Sequence, residues 1–94
     1  MTDDDLSLDA EGALEFPCRY PVKIMTRTRE RALDQVLTAI ASVEVDFDRE
    51  QVKVRPSRNG RFQSLTVEVD VASRRELEAV YASVRALDIV VMTL

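Results

Sequence analysis

The chain is 94 residues long, with 46% apolar and 32% charged side chains, which suits one globular domain and is too short for two. It has no His, no Trp and a single Cys, so His-based triads, His metal centres, disulfide scaffolds and CxxC redox pairs are excluded. The formal net charge of -4 conceals a division: the first fifteen residues hold six of the 17 carboxylates and no cation, leaving a small positive excess in the rest.

Residues 1–13 combine many carboxylates with few large apolar side chains, so a flexible acidic tail is expected there, ahead of one domain over 14–94. The opening Met1-Thr2-Asp3-Asp4-Asp5 has the wrong charge for a secretory leader, and no apolar run approaches the length of a membrane helix. A cytoplasmic location without a membrane segment is the expectation. Cys18 has no His to activate it, although Arg19 beside it would lower its pKa; it reads as an incidental small residue at a strand start.

From Arg19 to Thr26 the pattern alternates, with Tyr20, Val22 and Ile24 on one face, which predicts a first strand. Pro21 lacks an N–H and belongs where no ladder bond is needed, near an unpaired start. Thr28 is placed to cap a helix over residues 29–42, whose stripe Leu33, Val36, Leu37, Ile40 marks one buried face. After a charged connector, Val52 and Val54 alternate with Gln51, Lys53 and Arg55 in a second strand. Pro56-Ser57-Arg58-Asn59-Gly60 then reads as a hairpin turn in which Asn59 and Gly60 both take positive φ. Phe62 to Val71 follows as a third strand, with Leu65, Val67, Val69 and Val71 on one face and Ser64, Thr66, Glu68 and Asp70 on the other. Ser73 and Glu76 have capping-box spacing at the head of a second helix with the stripe Leu77, Val80, Tyr81, Val84. Ile89 to Leu94, apolar and largely β-branched, makes a fourth strand.

The order βαββαβ predicts an α+β, ferredoxin-like sandwich: a four-stranded antiparallel sheet with two helices on one face. Val22, Ile24, Val52, Val54, Leu65, Val67 and Val69 then face the helices. Lys23, Lys53, Arg55, Ser64, Thr66, Glu68 and Asp70 line the uncovered face.

Several stretches carry a family likeness. They are Glu15-Phe16-Pro17, Lys23-Ile24-Met25, the run Arg55-Pro56-Ser57-Arg58-Asn59-Gly60-Arg61-Phe62-Gln63-Ser64, and Leu87-Asp88-Ile89-Val90-Val91-Met92-Thr93-Leu94. Together they resemble the YbeD-like family of small bacterial proteins of unknown function, over about residues 14–94. The resemblance implies a ferredoxin-like fold similar to ACT regulatory domains, which bind small molecules and often pair. It implies no established activity.

Arg49, Lys53, Arg55, Arg58 and Arg61 gather within thirteen residues, with Ser57, Asn59 and Gly60 between them. That group is a candidate site for an anionic ligand or partner, because guanidinium, ammonium and exposed backbone amides all suit phosphate or carboxylate. Edge-strand charges that block aggregation explain the same cations without a ligand. Arg27 and Arg29, where the first strand meets the first helix, form a second candidate corner for an anion. Acylphosphatases share this topology and need a phosphate-cradling loop after the first strand. Thr26-Arg27-Thr28 has no Gly there, so no catalytic residue, metal or cofactor is assigned and the chain is not expected to be an enzyme.

RNA-binding sheets of this topology stack bases on exposed aromatics; the stacking positions of the central strands offer Lys23, Met25, Ser64 and Thr66, with only Phe62 aromatic and at the strand's start, and no RNP-like motif is present, so nucleic acid is disfavoured. The expectation is a non-catalytic regulatory or adaptor module binding a small anionic ligand or a partner protein. Its alternative is anion or nucleic-acid binding through the basic hairpin. An apolar fourth strand at the sheet edge adds the expectation of a weak homodimer, which Val90→Lys on the uncovered side would break.

Overall fold

A computed structural model describes residues 14–94; the acidic segment 1–13 lies outside the described residues. β1 (Cys18–Arg27) leads through a turn to α1 (Ala32–Ala41). The outer strand comes next in two pieces, β2 (Asp46–Phe47) and β3 (Lys53–Pro56), with a single 3-10 turn at Arg49–Gln51 between them. β4 (Phe62–Val71), α2 (Arg74–Arg85) and β5 (Val90–Thr93) complete the chain. All pairings are antiparallel, and the sheet runs β2 and β3, then β4, β1 and β5. With β2 and β3 counted as one interrupted strand, this is the expected βαββαβ sandwich.

β1 and β4 are paired over ten consecutive positions, Cys18 opposite Val71 through Arg27 opposite Phe62. Their alternation sorts the two faces. Val22, Ile24, Leu65, Val67 and Val69 are fully buried, and Val36, Leu37 and Ile40 of α1 with Leu77, Val80 and Val84 of α2 close over them. Each aliphatic side chain removed from water this way contributes roughly 1.5–3 kcal/mol, so this face supplies most of the driving force.

The remaining differences from the sequence expectation have local causes. Thr28 is not the cap of α1, because its N–H donates to the Arg61 carbonyl at 3.0 Å and keeps it tied to β4. The helix starts only at Ala32, with Arg31 at the cap position and no side-chain cap. At its far end Glu44 sits at φ +67°, a left-handed conformation that costs a non-glycine residue roughly 1–2 kcal/mol. The outer strand breaks at Asp48, whose carboxylate accepts from the Glu50 N–H at 2.9 Å and starts the 3-10 turn.

The hairpin does not use two positive φ values: Gly60 alone does, at +79°. Asn59 serves by its side chain, Oδ1 accepting from the Arg61 N–H at 3.0 Å and from Ser57 Oγ at 3.2 Å. Ser73 caps α2 as expected, while the Glu76 carboxylate reaches the Ala72 N–H at 2.8 Å. Pro21 lies inside β1 and not at its start. The Lys23 carbonyl accepts from Leu94 N–H on the β5 side, so Pro21, two residues earlier, turns its missing N–H to the same side, beyond the end of β5.

Candidate functional site

Helices cover one face of the sheet, and alternation decides what the other face carries. Taken in rows across the strands, it presents Arg55, Ser64, Met25 and Met92; then Lys53, Thr66 and Lys23; then Glu68 and Pro21; then Asp46, Asp70 and Arg19. The first two rows form a shallow concavity of about 330 Å³, lined by Lys23, Lys53, Arg55, Ser64, Thr66 and Leu94. Neighbouring strands are roughly 4.8 Å apart, so Lys23 and Lys53 flank Thr66 at about 10 Å from each other, and Arg55 lies one row further on. Among the described residues these three cations form no salt bridge and no side-chain hydrogen bond. Three like charges at this spacing repel, and an anion seated over Ser64 and Thr66 relieves that repulsion.

The basic hairpin anticipated as one cluster is therefore divided among four separate places. Lys53 and Arg55 belong to the sheet face. Arg49, on the 3-10 turn, stacks 5.5 Å from the Phe47 ring and lies in a recess with Asp46, Asp48, Glu50 and Asp70, a setting that already supplies negative charge. Arg58 is exposed in the turn, while Ser57 and Asn59 spend their side chains on holding that turn. Gly60 and Arg61 join the second candidate corner instead, a cleft of about 350 Å³ with Arg27, Thr28, Arg29 and Phe62. There the Arg27 guanidinium donates to the Asp88 carbonyl at 2.9 Å and that of Arg29 to the Thr28 carbonyl at 3.0 Å, so two of its three cations are already engaged.

Lys23, Ser64 and Thr66 were missing from the anticipated site, although their alternation had placed them on the right face. What was lacking was the pairing register that sets Lys23 and Lys53 on either side of Thr66.

Cys18 and Val90 are corrected by the same alternation. Cys18 pairs with Val71 on the helix side, and burial pushes its thiol pKa up, while Arg19 points the opposite way to bind Asp70 at 3.0 Å. The thiol is thus kept protonated, the reverse of an activated nucleophile. Asp70 answers Arg19, its cross-strand neighbour. Val90 pairs with Thr26, a fully buried residue, and packs against the core, because an irregularity between Met25 and Thr26 breaks the alternation of β5. Met92, 48% exposed beside Met25, is the β5 residue on the uncovered side.

A split βαβ sandwich with an open, polar sheet face defines the class: an ACT-like, ferredoxin-like domain. The fold is similar to the solution structure of protein HP0495 from H. pylori, at TM-score 0.74 and 20% identity over 100% of this chain and 94% of that one. It is also similar to the ACT domain of the GTP pyrophosphokinase of Chlorobium tepidum, at TM-score 0.65 and 10% identity over 81% and 94% of the two chains. The chain belongs to the family of proteins of unknown function DUF493, whose model matches residues 11–94. UPF0250 proteins are its curated relatives: that of Nitrosomonas europaea is 34% identical over 89% of this chain and 97% of its own. That of Azotobacter vinelandii is 36% identical over the whole of both chains. The likeness to YbeD-like proteins read from the hairpin and the C-terminal run holds. No helix among the described residues is long and apolar enough to cross a membrane.

Proposed function

We propose that this protein is a non-catalytic regulatory module that takes an anionic group, phosphate or carboxylate, on the uncovered face of its sheet. The observation that carries this reading is the set of three cations, Lys23, Lys53 and Arg55, standing without ion-pair partners among the described residues around two hydroxyls, Ser64 and Thr66. Arg55 offers a fork for two oxygens, the lysines offer movable point charges, and the hydroxyls can donate to a third oxygen.

Titration of the labelled protein with inorganic pyrophosphate, followed by amide NMR, tests it. Shifts are expected to cluster at Lys23, Lys53, Arg55, Ser64 and Thr66, and to vanish in Lys53→Ala with Arg55→Ala. Shifts confined to Arg27, Arg29 and Arg61 would move the site to the corner cleft, and none at all at millimolar ligand would end the proposal.

A further inference from the structure

The rows of the uncovered face are ordered by charge. The Ser64 and Thr66 rows hold Arg55, Lys53 and Lys23 and no carboxylate side chain; the Glu68 and Asp70 rows hold Glu68, Asp70 and Asp46 with Arg19 the single cation. One end is positive, the other negative, and the change of sign falls between Thr66 and Glu68. Such a face is complementary to itself. A two-fold axis lying in the face, across the strands between those two rows, sets the positive end of each copy on the negative end of the other. The rotation keeps each strand over its own counterpart and reverses direction along it. Arg55 on the outer strand then meets Asp46 of the second copy, at the same outer position, and Glu68 of the second copy falls between Lys53 and Lys23. Met25 comes over the stem of Arg19 in the second copy.

We infer that a second copy of this chain docks face to face here, through a self-complementary charge pattern on the sheet. The sheet edge is a poorer candidate: β5 has only four residues and pairs irregularly with β1. Exposed charges provide the match, so the dimer is weak and salt-sensitive, with ionic strength acting on every one of these contacts. Its cations are those assigned to the anionic ligand, and one consequence rests on that reading: ligand and second copy compete, so an anion drives the protein to monomer.

Sedimentation velocity of the full chain tests the dimer without any ligand. At about 10 mM ionic strength, where charges act over about 30 Å, a dimer is expected; at about 1 M, where they act over about 3 Å, a monomer. Lys53→Glu with Arg55→Glu reverses the positive end, and Asp46→Lys with Glu68→Lys the negative end. Each double variant alone is expected to be monomeric at low salt, and an equimolar mixture of the two to form a heterodimer. Circular dichroism checks that both fold; where one does not, Lys53→Gln with Arg55→Gln is expected to weaken the wild-type dimer about tenfold or more, because the two-fold removes each lost contact twice. Wild-type protein that stays monomeric at low salt and high micromolar concentration overturns the inference, as do folded variants whose mixture does not associate. A monomer that still binds pyrophosphate through Lys53 and Arg55 overturns the dimer and leaves the ligand site standing. A charge-swapped heterodimer from a protein that ignores pyrophosphate does the reverse.

Discussion

Leu65 and Thr66 are neighbours in one strand and live under different rules. Leu65 is fully buried beneath the helices, with Ile24 and Val54 as its cross-strand partners; Thr66 is half-buried between two lysines on the open side. A whole face of β4 repeats the first environment and the other face the second. The helix side holds the fold together by volume and exclusion of water. The open side contributes little to stability and carries nearly all the charge the sheet presents. Residues there are free to be chosen for what they bind.

The largest test of that division replaces the two neighbours in turn. Leu65→Ala is expected to cost about 3 kcal/mol in chemical denaturation, the usual price of an unfilled aliphatic site. Thr66→Ala is expected to stay within about 0.5 kcal/mol, as surface changes do. Equal losses would show that the open face is also part of the core. A smaller effect is expected for the Arg19–Asp70 pair. It is bidentate, at 3.0 and 3.3 Å, yet both side chains are nearly half exposed. A double-mutant cycle with Arg19→Ala and Asp70→Ala should therefore return a coupling of about 0.2–1 kcal/mol, falling with salt.

The smallest effect is a matter of pH. Tyr81 packs under the C-terminal strand, and burial first, then its hydrogen bond and charge interaction with Tyr20, push its phenol up to about 12 against the opposing pull of Arg85. The folded form keeps its proton longer than the unfolded chain, whose tyrosines titrate near about pH 10. The stabilisation is thus complete below about pH 10 and is lost as pH rises toward the folded value. Denaturation midpoints should fall across that interval, and Tyr81→Phe should flatten the decline. Phenolate absorbance of the native protein should show Tyr81 ionising late, and the late component should be lost in Tyr81→Phe.

Much of this architecture was legible because long elements announce themselves. β4 begins at Phe62 and ends at Val71 as its alternation required, and the stripes of both helices are the ones that pack. Short elements were not. Val43, Val45 and Phe47 alternate with Glu44, Asp46 and Asp48 in what read as a charged connector, and that alternation was the available signal for β2. The start of α1 was misplaced because a bond from Thr28 to a residue thirty-three positions away decides it. The candidate site failed in a similar way. Nearness in sequence grouped Arg49 with Lys53, and a turn of 3-10 helix separates them. Lys23, thirty positions from Lys53, joins it through register alone.

The interruption of the outer strand at Asp48 reaches further than local geometry. β4 is bonded along its whole length to β1, but on its other side to two short segments with a gap opposite Val67 and Glu68. The hairpin end of β3, carrying Lys53 and Arg55, can therefore lift from β4 without unzipping β2. In hydrogen exchange the amides that bond β3 to β4 should lose protection together, earlier than those between β1 and β4, as a separate opening unit. Two of the three cations on the open face thus ride on the least firmly held part of the sheet, where small adjustments to the shape of an incoming group cost the core nothing.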